Sequence, residues 1–315
     1  MLIYNIVYTD VKDGVMMIEE IKKLKEEKDA LILAHNYQRP EVIDIADFVG
    51  DSFYLSQVAK GSDKSTIVFC GVDFMAESAK ILSPEKKILL PVKDAGCPLA
   101  EMVDIDELKK FKEKHSDATF VCYINTSAEV KALCDVVVTS SNAVKIIKRI
   151  ENKKIVFLPD KNLGEFVKER VPEKNIILWT GFCPTHRKIS KEYILSLKEE
   201  IKDLVVLTHP ECERDVREIS DFIGSTKEII DYATKTNYKN YLIATEEGVI
   251  HTLKKLNPNK NFYIPGLTAT CPNMKKTRLI DVYESLLYSR YEIHVDEEIA
   301  KGAKRALENM LMLAR

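Results

Sequence analysis

The chain has 315 residues, 45% of them hydrophobic and 30% charged, with a net charge of -2. This is ordinary globular composition, and the near balance of basic and acidic side chains excludes a broad basic field for nucleic acid. No apolar run approaches the roughly 18 residues that span a bilayer, and the opening MLIYNIVYTDVKDG lacks the basic and apolar regions of a secretory signal. A cytoplasmic protein without a membrane partner is expected, its seven cysteines being reduced thiols available for burial, catalysis or metal binding.

In chain order, the Lys/Glu-rich run from Glu19 to Lys28 reads as a solvated helix face. The apolar run opening LILAHNYQRPEV at Leu31 reads as a buried strand that delivers His35 and then Tyr37. IADFVGDSFYL from Ile45 holds an acidic residue, a brief strand and Ser52 at the head of a helix. FMAESAKIL from Phe74 has helical spacing, and LLPVKDAGCPL ends a strand-like run in Cys97 and Pro98. After another solvated helix face, Lys109 to Lys114, the series begins again. TFVCYINTSAEV from Thr119 delivers Tyr123 and Asn125, and LCDVVVTSSNAV from Leu133 delivers Ser140 or its neighbour Ser141. A helical stretch from Asn162 follows, then ILWTGFCPTHR with Cys183 and His186. The third round gives His209 and Glu211 in LVVLTHPECERDV, Thr226 or Ser225 after ISDFIG, and Cys271 in YIPGLTATCPNM. From Tyr291 the chain reads as a closing amphipathic helix.

The three rounds are in register. His35, Tyr123 and His209 are separated by 88 and 86 residues, and Cys97, Cys183 and Cys271 by 86 and 88. Strands alternating with helices of this length predict βαβ units with parallel sheets. The expected fold is α/β: three pseudo-threefold-related αβα sandwich domains around a central cavity. The units are expected at 1–110, 111–196 and 197–289, with the tail 290–315 on the first. Ligands of parallel α/β units bind at the carboxyl ends of the strands, so three polar rings, three hydroxyl-headed helix starts and three cysteines are expected to converge.

Three thiolates suit an iron–sulfur cluster or zinc. A cubane normally takes four cysteines, so three leave one iron open as a Lewis acid. Three core cysteines before prolines is the alternative for Cys97, Cys183 and Cys271, whereas Cys70, Cys122 and Cys134 read as buried thiols. Ser52, Ser140 and Thr226 suit anions at helix starts or simple capping. His35 and His209 suit proton transfer, and Glu211 a general base.

The segments LAHNYQRPEVIDIADFVGDS, IVFCGVDFMAESAKIL, AGCPLAEM, FCPTHRKI, THPECERDV, DFIGST, IATEEGVI and ATCPNMKKT resemble the quinolinate synthase family, in its order from about Leu31 to Leu286. The resemblance implies a 4Fe–4S cluster on Cys97, Cys183 and Cys271, with the fourth iron open to substrate. It implies a transferase that condenses iminoaspartate with dihydroxyacetone phosphate, releasing phosphate and water, to make quinolinate for NAD biosynthesis. A separate enzyme would supply the iminoaspartate, since no flavin-binding pattern is present. It also implies that His35, Tyr37, Tyr123, Asn125, His186, His209 and Glu211 line the cavity, with Ser52, Ser140 and Thr226 holding carboxylates or phosphate. Glu211 is the first candidate base, with Tyr37 and His35 positioning or protonating the triose. The run after Cys271 lacks the extra cysteines of some relatives, so thiol–disulfide control there is not expected; Cys212 is left open as a redox residue. The rivals are another open-iron lyase, an iron–sulfur sensor and a zinc-stabilised binding protein.

Overall fold

The computed structural model describes residues 16–266 and 269–315. The opening read for a secretory signal, and the Leu267–Thr268 pair before Cys271, lie outside the described residues. Among the described residues, twelve strands form three four-stranded sheets, all parallel. The first holds β1 (Ala30–His35), β2 (Phe48–Gly50), β3 (Thr66–Cys70) and β4 (Lys87–Leu89), in the order β2-β1-β3-β4. The second repeats that order with β5 (Thr119–Tyr123), β6 (Val136–Val138), β7 (Lys154–Leu158) and β8 (Asn175–Leu178). The third repeats it with β9 (Leu204–Thr208), β10 (Phe222–Ile223), β11 (Asn240–Ala244) and β12 (Asn261–Tyr263). The expected α/β architecture of three αβα units is the observed one.

Burial explains the layers. In β1, Leu31 and Leu33 face the large central core, while Ala30, Ile32 and Ala34 face a second cluster built with Ile21, Leu24, Val282 and Leu286. Strand β9 does the same, with Val205 and Leu207 on the central side and Leu204 and Val206 against Ile194. Successive strand residues point to opposite faces, so a continuous apolar run is what a strand covered on both faces needs.

Two further triplets hold each unit in shape. Asp47, Asp135 and Asp221 each accept the backbone N–H of a central strand, from Ile32, Phe120 and Val206, at 2.8 Å. Each returns its own N–H to that residue's carbonyl at 2.9 Å. This double bond turns the chain back so that the edge strand starts beside the central one. The second triplet is Lys86, Lys174 and Lys260, spaced by 88 and 86 residues. Lys86 Nζ donates to Ala59 O (2.9 Å), Lys174 Nζ to Asn152 O (3.2 Å), and Lys260 Nζ to Ala233 O (2.6 Å) and Thr236 O (2.7 Å). These carbonyls lie at or just beyond the ends of helices Ser52–Gly61, Ala143–Arg149 and Thr226–Lys235. A cation there satisfies orphan carbonyls and complements the helix dipole.

The C-terminal segment reaches more than one unit. Helix Leu279–Tyr288 contributes Val282 and Leu286 to the first unit's outer cluster, and Ile293 N donates to Ile88 O beside β4 at 2.9 Å. The last helix, Glu297–Leu313, then crosses to the second unit. There Asn309 Nδ2 donates to Asp135 O at 2.9 Å. A Cβ at Gly302 would lie 3.0 Å from both the Cβ and the carbonyl oxygen of Ala132, so glycine permits this close approach.

Candidate active site

His35 and Tyr123 end β1 and β5, and His209 follows β9 directly. Each begins a loop at the carboxyl end of its sheet, and the three loops meet around one cavity. Every site residue singled out in the sequence borders it: His35, Tyr37 and Ser52 from the first unit; Tyr123, Asn125, Ser140 and His186 from the second; His209, Glu211 and Thr226 from the third; and Cys97, Cys183 and Cys271.

The loop backbone orients the histidines. Tyr37 N donates to His35 Nδ1 at 3.2 Å, and Glu211 N donates to His209 Nδ1 at 3.4 Å. An accepting Nδ1 puts the proton of the neutral ring on Nε2. Burial pushes both rings down to about 3, with mutual and neighbouring charges adding smaller effects. At neutral pH both therefore offer an N–H donor rather than a cation.

Six side chains from all three units form a chain across the cavity wall. Thr226 Oγ1 lies 2.9 Å from Tyr37 Oη, which lies 2.7 Å from Thr245 Oγ1. Thr245 Oγ1 lies 2.8 Å from His186 Nε2. His186 Nδ1 is 2.7 Å from Glu211 Oε2, off the ring's N–H direction, and Tyr123 Oη donates to Glu211 Oε1 at 2.6 Å. Burial alone would raise the Glu211 carboxyl, but the His186 and His209 rings and the Tyr123 hydroxyl reverse this and hold it down to about 2. Burial, then the charge of Glu211, pushes Tyr37 and Tyr123 well above the usual phenol range. An ionised Glu211 only accepts, which directs the chain. Tyr123 points its proton at it, and the His186 ring stands between it and the Thr245, Tyr37 and Thr226 hydroxyls.

Of the hydroxyl residues, Ser52 and Thr226 are first residues of their helices, while Asp51 and Ser225 are the caps. Capping is therefore done by the residue before, and Ser52 and Thr226 border the cavity. Ser140 lies in the turn before helix Ala143–Arg149, whose N-cap is Asn142.

The cysteines divide cleanly. Cys70, Cys122, Cys134 and Cys212 are buried free thiols, whereas Cys97, Cys183 and Cys271 are partly exposed on the cavity. Cys212 donates its thiol to Ala244 O at 3.3 Å, and burial pushes its pKa well up, which is the environment of an inert thiol rather than a redox residue. Main-chain N–H groups in the turn after each proline act to lower the cavity thiols, against the effect of burial. Without a cation, burial still holds all three thiols high, Cys97 at about 12. Ligand atoms of Cys183, His186 and Glu211 fall within 4.8 Å of one another. Three soft sulfurs on one cavity, one of them close to His186 and Glu211, suit a bound metal centre.

The sequence has counterparts among known proteins. The profile of the family described as Quinolinate synthetase A protein matches residues 19–312. The chain belongs to this family. A protein of Caldicellulosiruptor bescii named Quinolinate synthase is 60% identical over 93% of this chain and 96% of its own length. Its namesake from Clostridioides difficile strain 630 is 53% identical over 94% of this chain and 97% of its own length. Among the described residues no helix is long and apolar enough to cross a membrane.

Several members of the site escape a reading of sequence spacing alone. Thr245 is fully buried one residue past β11, and nothing marks an ordinary threonine as the link between a tyrosine and a histidine. Glu246 and Asp160, 86 residues apart, each sit two residues past a strand and behind a cysteine. Glu246 Oε1 accepts Cys271 N at 3.0 Å, and the charge of Asp160 is among those that raise the Cys183 thiol. Their spacing is a usable signal, although the first unit breaks it with Val72.

Proposed function

We propose that the chain is a quinolinate synthase, condensing iminoaspartate with dihydroxyacetone phosphate to quinolinate for NAD biosynthesis. The observation that carries this reading is the convergence of one Cys-Pro thiol from each unit on the cavity that holds the Tyr37-to-Tyr123 chain. The names of the relatives support it. Cys97, Cys183 and Cys271 are the residues to hold a 4Fe–4S cluster. Such a cluster, with one iron lacking a cysteine, supplies a Lewis acid for a carboxylate or a departing hydroxyl.

The reaction balances without an external oxidant: the two substrates give quinolinate, phosphate and two waters. The protein must orient two anions and move protons between carbon and oxygen. His35 and His209 offer N–H donors to carboxylate or phosphate oxygens, with Ser52, Thr226, Ser140 and Asn125 as further polar contacts. Ser52 and Thr226 stand at helix starts that favour anions. Glu211 is the proton acceptor. It draws directly from Tyr123 or through His186, Thr245 and Tyr37, so a base on one wall communicates with a phenol on another. When a ligand displaces one of its partners, its basicity rises toward that of an ordinary carboxylate.

The test is anaerobic purification, iron and sulfide counts, and turnover with iminoaspartate and the triose phosphate. Brown protein that forms quinolinate is the expected result; a cluster-loaded protein that forms none overturns the reading. Glu211→Gln should keep the cluster spectrum and lose turnover, and near-normal turnover would remove Glu211 as the base.

A further inference from the structure

Eight residues after His35, Tyr123 and His209 stand three equivalent residues of different character: Ile43, Lys131 and Arg217. Lys131 and Arg217 are both buried. Each donates to the carbonyl three residues after the strand-end ring, Lys131 Nζ to Thr126 O and Arg217 Nε to Cys212 O at 3.2 Å. Each faces acidic residues of the preceding unit, one of which stands at a matching position. Arg217 reaches Glu169 at 3.3 Å and Glu165 at 3.4 Å. Lys131 lies in the field of Glu77 and Asp73 and 5.4 Å from the centre of the Phe74 ring. Glu77 is the counterpart of Glu165, 88 residues earlier, and also accepts Ala128 N at 3.0 Å.

The fold does not require a cation at this place, because the first unit fills it with the buried, apolar Ile43. Replacing a buried ion pair by apolar groups is often neutral for stability, so folding alone leaves Lys131 and Arg217 unexplained. The loops they grip supply the explanation. One carries Tyr123 and the other Glu211, which meet across units at 2.6 Å. The first unit's loop is gripped from elsewhere, Lys275 Nζ donating to Tyr37 O at 2.6 Å.

We infer that Lys131 and Arg217 are a matched pair of positioning residues, which pin the loops of Tyr123 and Glu211 to the preceding unit and so set the geometry of proton transfer between them. The inference rests on the quinolinate synthase reading. Neither residue touches the substrate space; each acts through the loop it holds.

The test uses the cluster-loaded enzyme and normalises rates to cluster content. Arg217→Met and Lys131→Met should each lower kcat about tenfold to a hundredfold, the cost of a small misplacement, with KM changing far less. Arg217→Lys should recover most of the loss. Arg217→Met placed on Glu211→Gln should add nothing, because its effect passes through Glu211. Ile43→Ala is the control: a comparable fall in thermal stability with kcat kept. Should a methionine variant fail to fold, Glu165→Gln with Glu169→Gln frees the Arg217 clamp from its partly exposed side and should lower kcat in the same way. Unchanged kcat per cluster, or additive loss with Glu211→Gln, overturns the inference. A wild-type enzyme that makes no quinolinate would instead overturn the reading of the reaction.

Discussion

The seam between the second and third units and the seam from the third unit back to the first use equivalent positions with opposite polarity. At the first of these, the later unit provides a buried cation, Arg217, whose side chain is 2% exposed, and the earlier unit provides Glu165 and Glu169. At the closing seam the counterparts of Glu165 and Glu169 are His251 and Lys255, 86 residues on. They meet Asp44, next to Ile43, at 2.9 Å and 3.1 Å, with the Asp44 side chain 48% exposed. The difference is one of dielectric. A desolvated ion pair fixes geometry because breaking it strands a charge, whereas an exposed pair is screened and contributes about 0–1 kcal/mol. The closing seam therefore carries these ion pairs in solvent. There the third unit approaches by backbone contact, a Cβ at Gly248 falling 2.8 Å from the backbone of Tyr37. Tyr37 itself reaches across to Thr226 and Thr245.

The contrast can be broken most directly at Tyr37. Tyr37→Phe removes the one hydroxyl joining both threonines, and kcat should fall by about 10²- to 10⁴-fold, the span of general acid–base catalysis, with iron content unchanged. An effect under about threefold would mean that the closing seam does not carry proton transfer. At the seam between the first and second units, where Lys131 is buried as Arg217 is at the next, Lys131→Ala should destabilise by about 3 kcal/mol in chemical denaturation, because Glu77 loses its compensating charge and Thr126 O its donor. A cost near zero would place the clamp among dispensable contacts.

Acid should separate the two seams further. His35 and His209 are held near 3 in the fold by burial and return to about 6.5 when the chain unfolds. Between those values the unfolded chain binds more protons, so stability rises with pH, is fully present above about 6.5, and is lost as pH falls toward 3. Denaturation midpoints measured from neutral to acidic pH should follow that slope, and His209→Gln should flatten it. The smallest effect is expected at the exposed latch. Asp44→Ala should cost no more than about 1 kcal/mol, and less in high salt. A loss as large as that of Lys131→Ala would erase the distinction between the seams.

Much of this scaffold was legible because it is written three times. Strand-end rings, returning aspartates, helix-head hydroxyls and Cys-Pro pairs keep their residue types from unit to unit, and repetition lifts each above chance. Lys86, Lys174 and Lys260 were equally readable, each two residues after a proline, but lysine near a turn looks like solvent-facing charge until its carbonyl partners are seen. Lys131 and Arg217 were hidden for the opposite reason: Ile, Lys and Arg at equivalent places do not look like a motif. Thr245 gave no signal, since its role depends on two partners from other units.

The order of strands and helices, the position of each polar residue at the end of a strand, and the three in-register cysteines followed from the sequence, because βα periodicity is local and a residue's place along a strand is set by its neighbours. Which of those residues touch was decided only by the packing of three sheets against one another. Tyr123 meets Glu211 across 88 residues and Tyr37 meets Thr245 across 208. Such contacts depend on how units pack to within fractions of an ångström, a quantity that residue spacing does not contain.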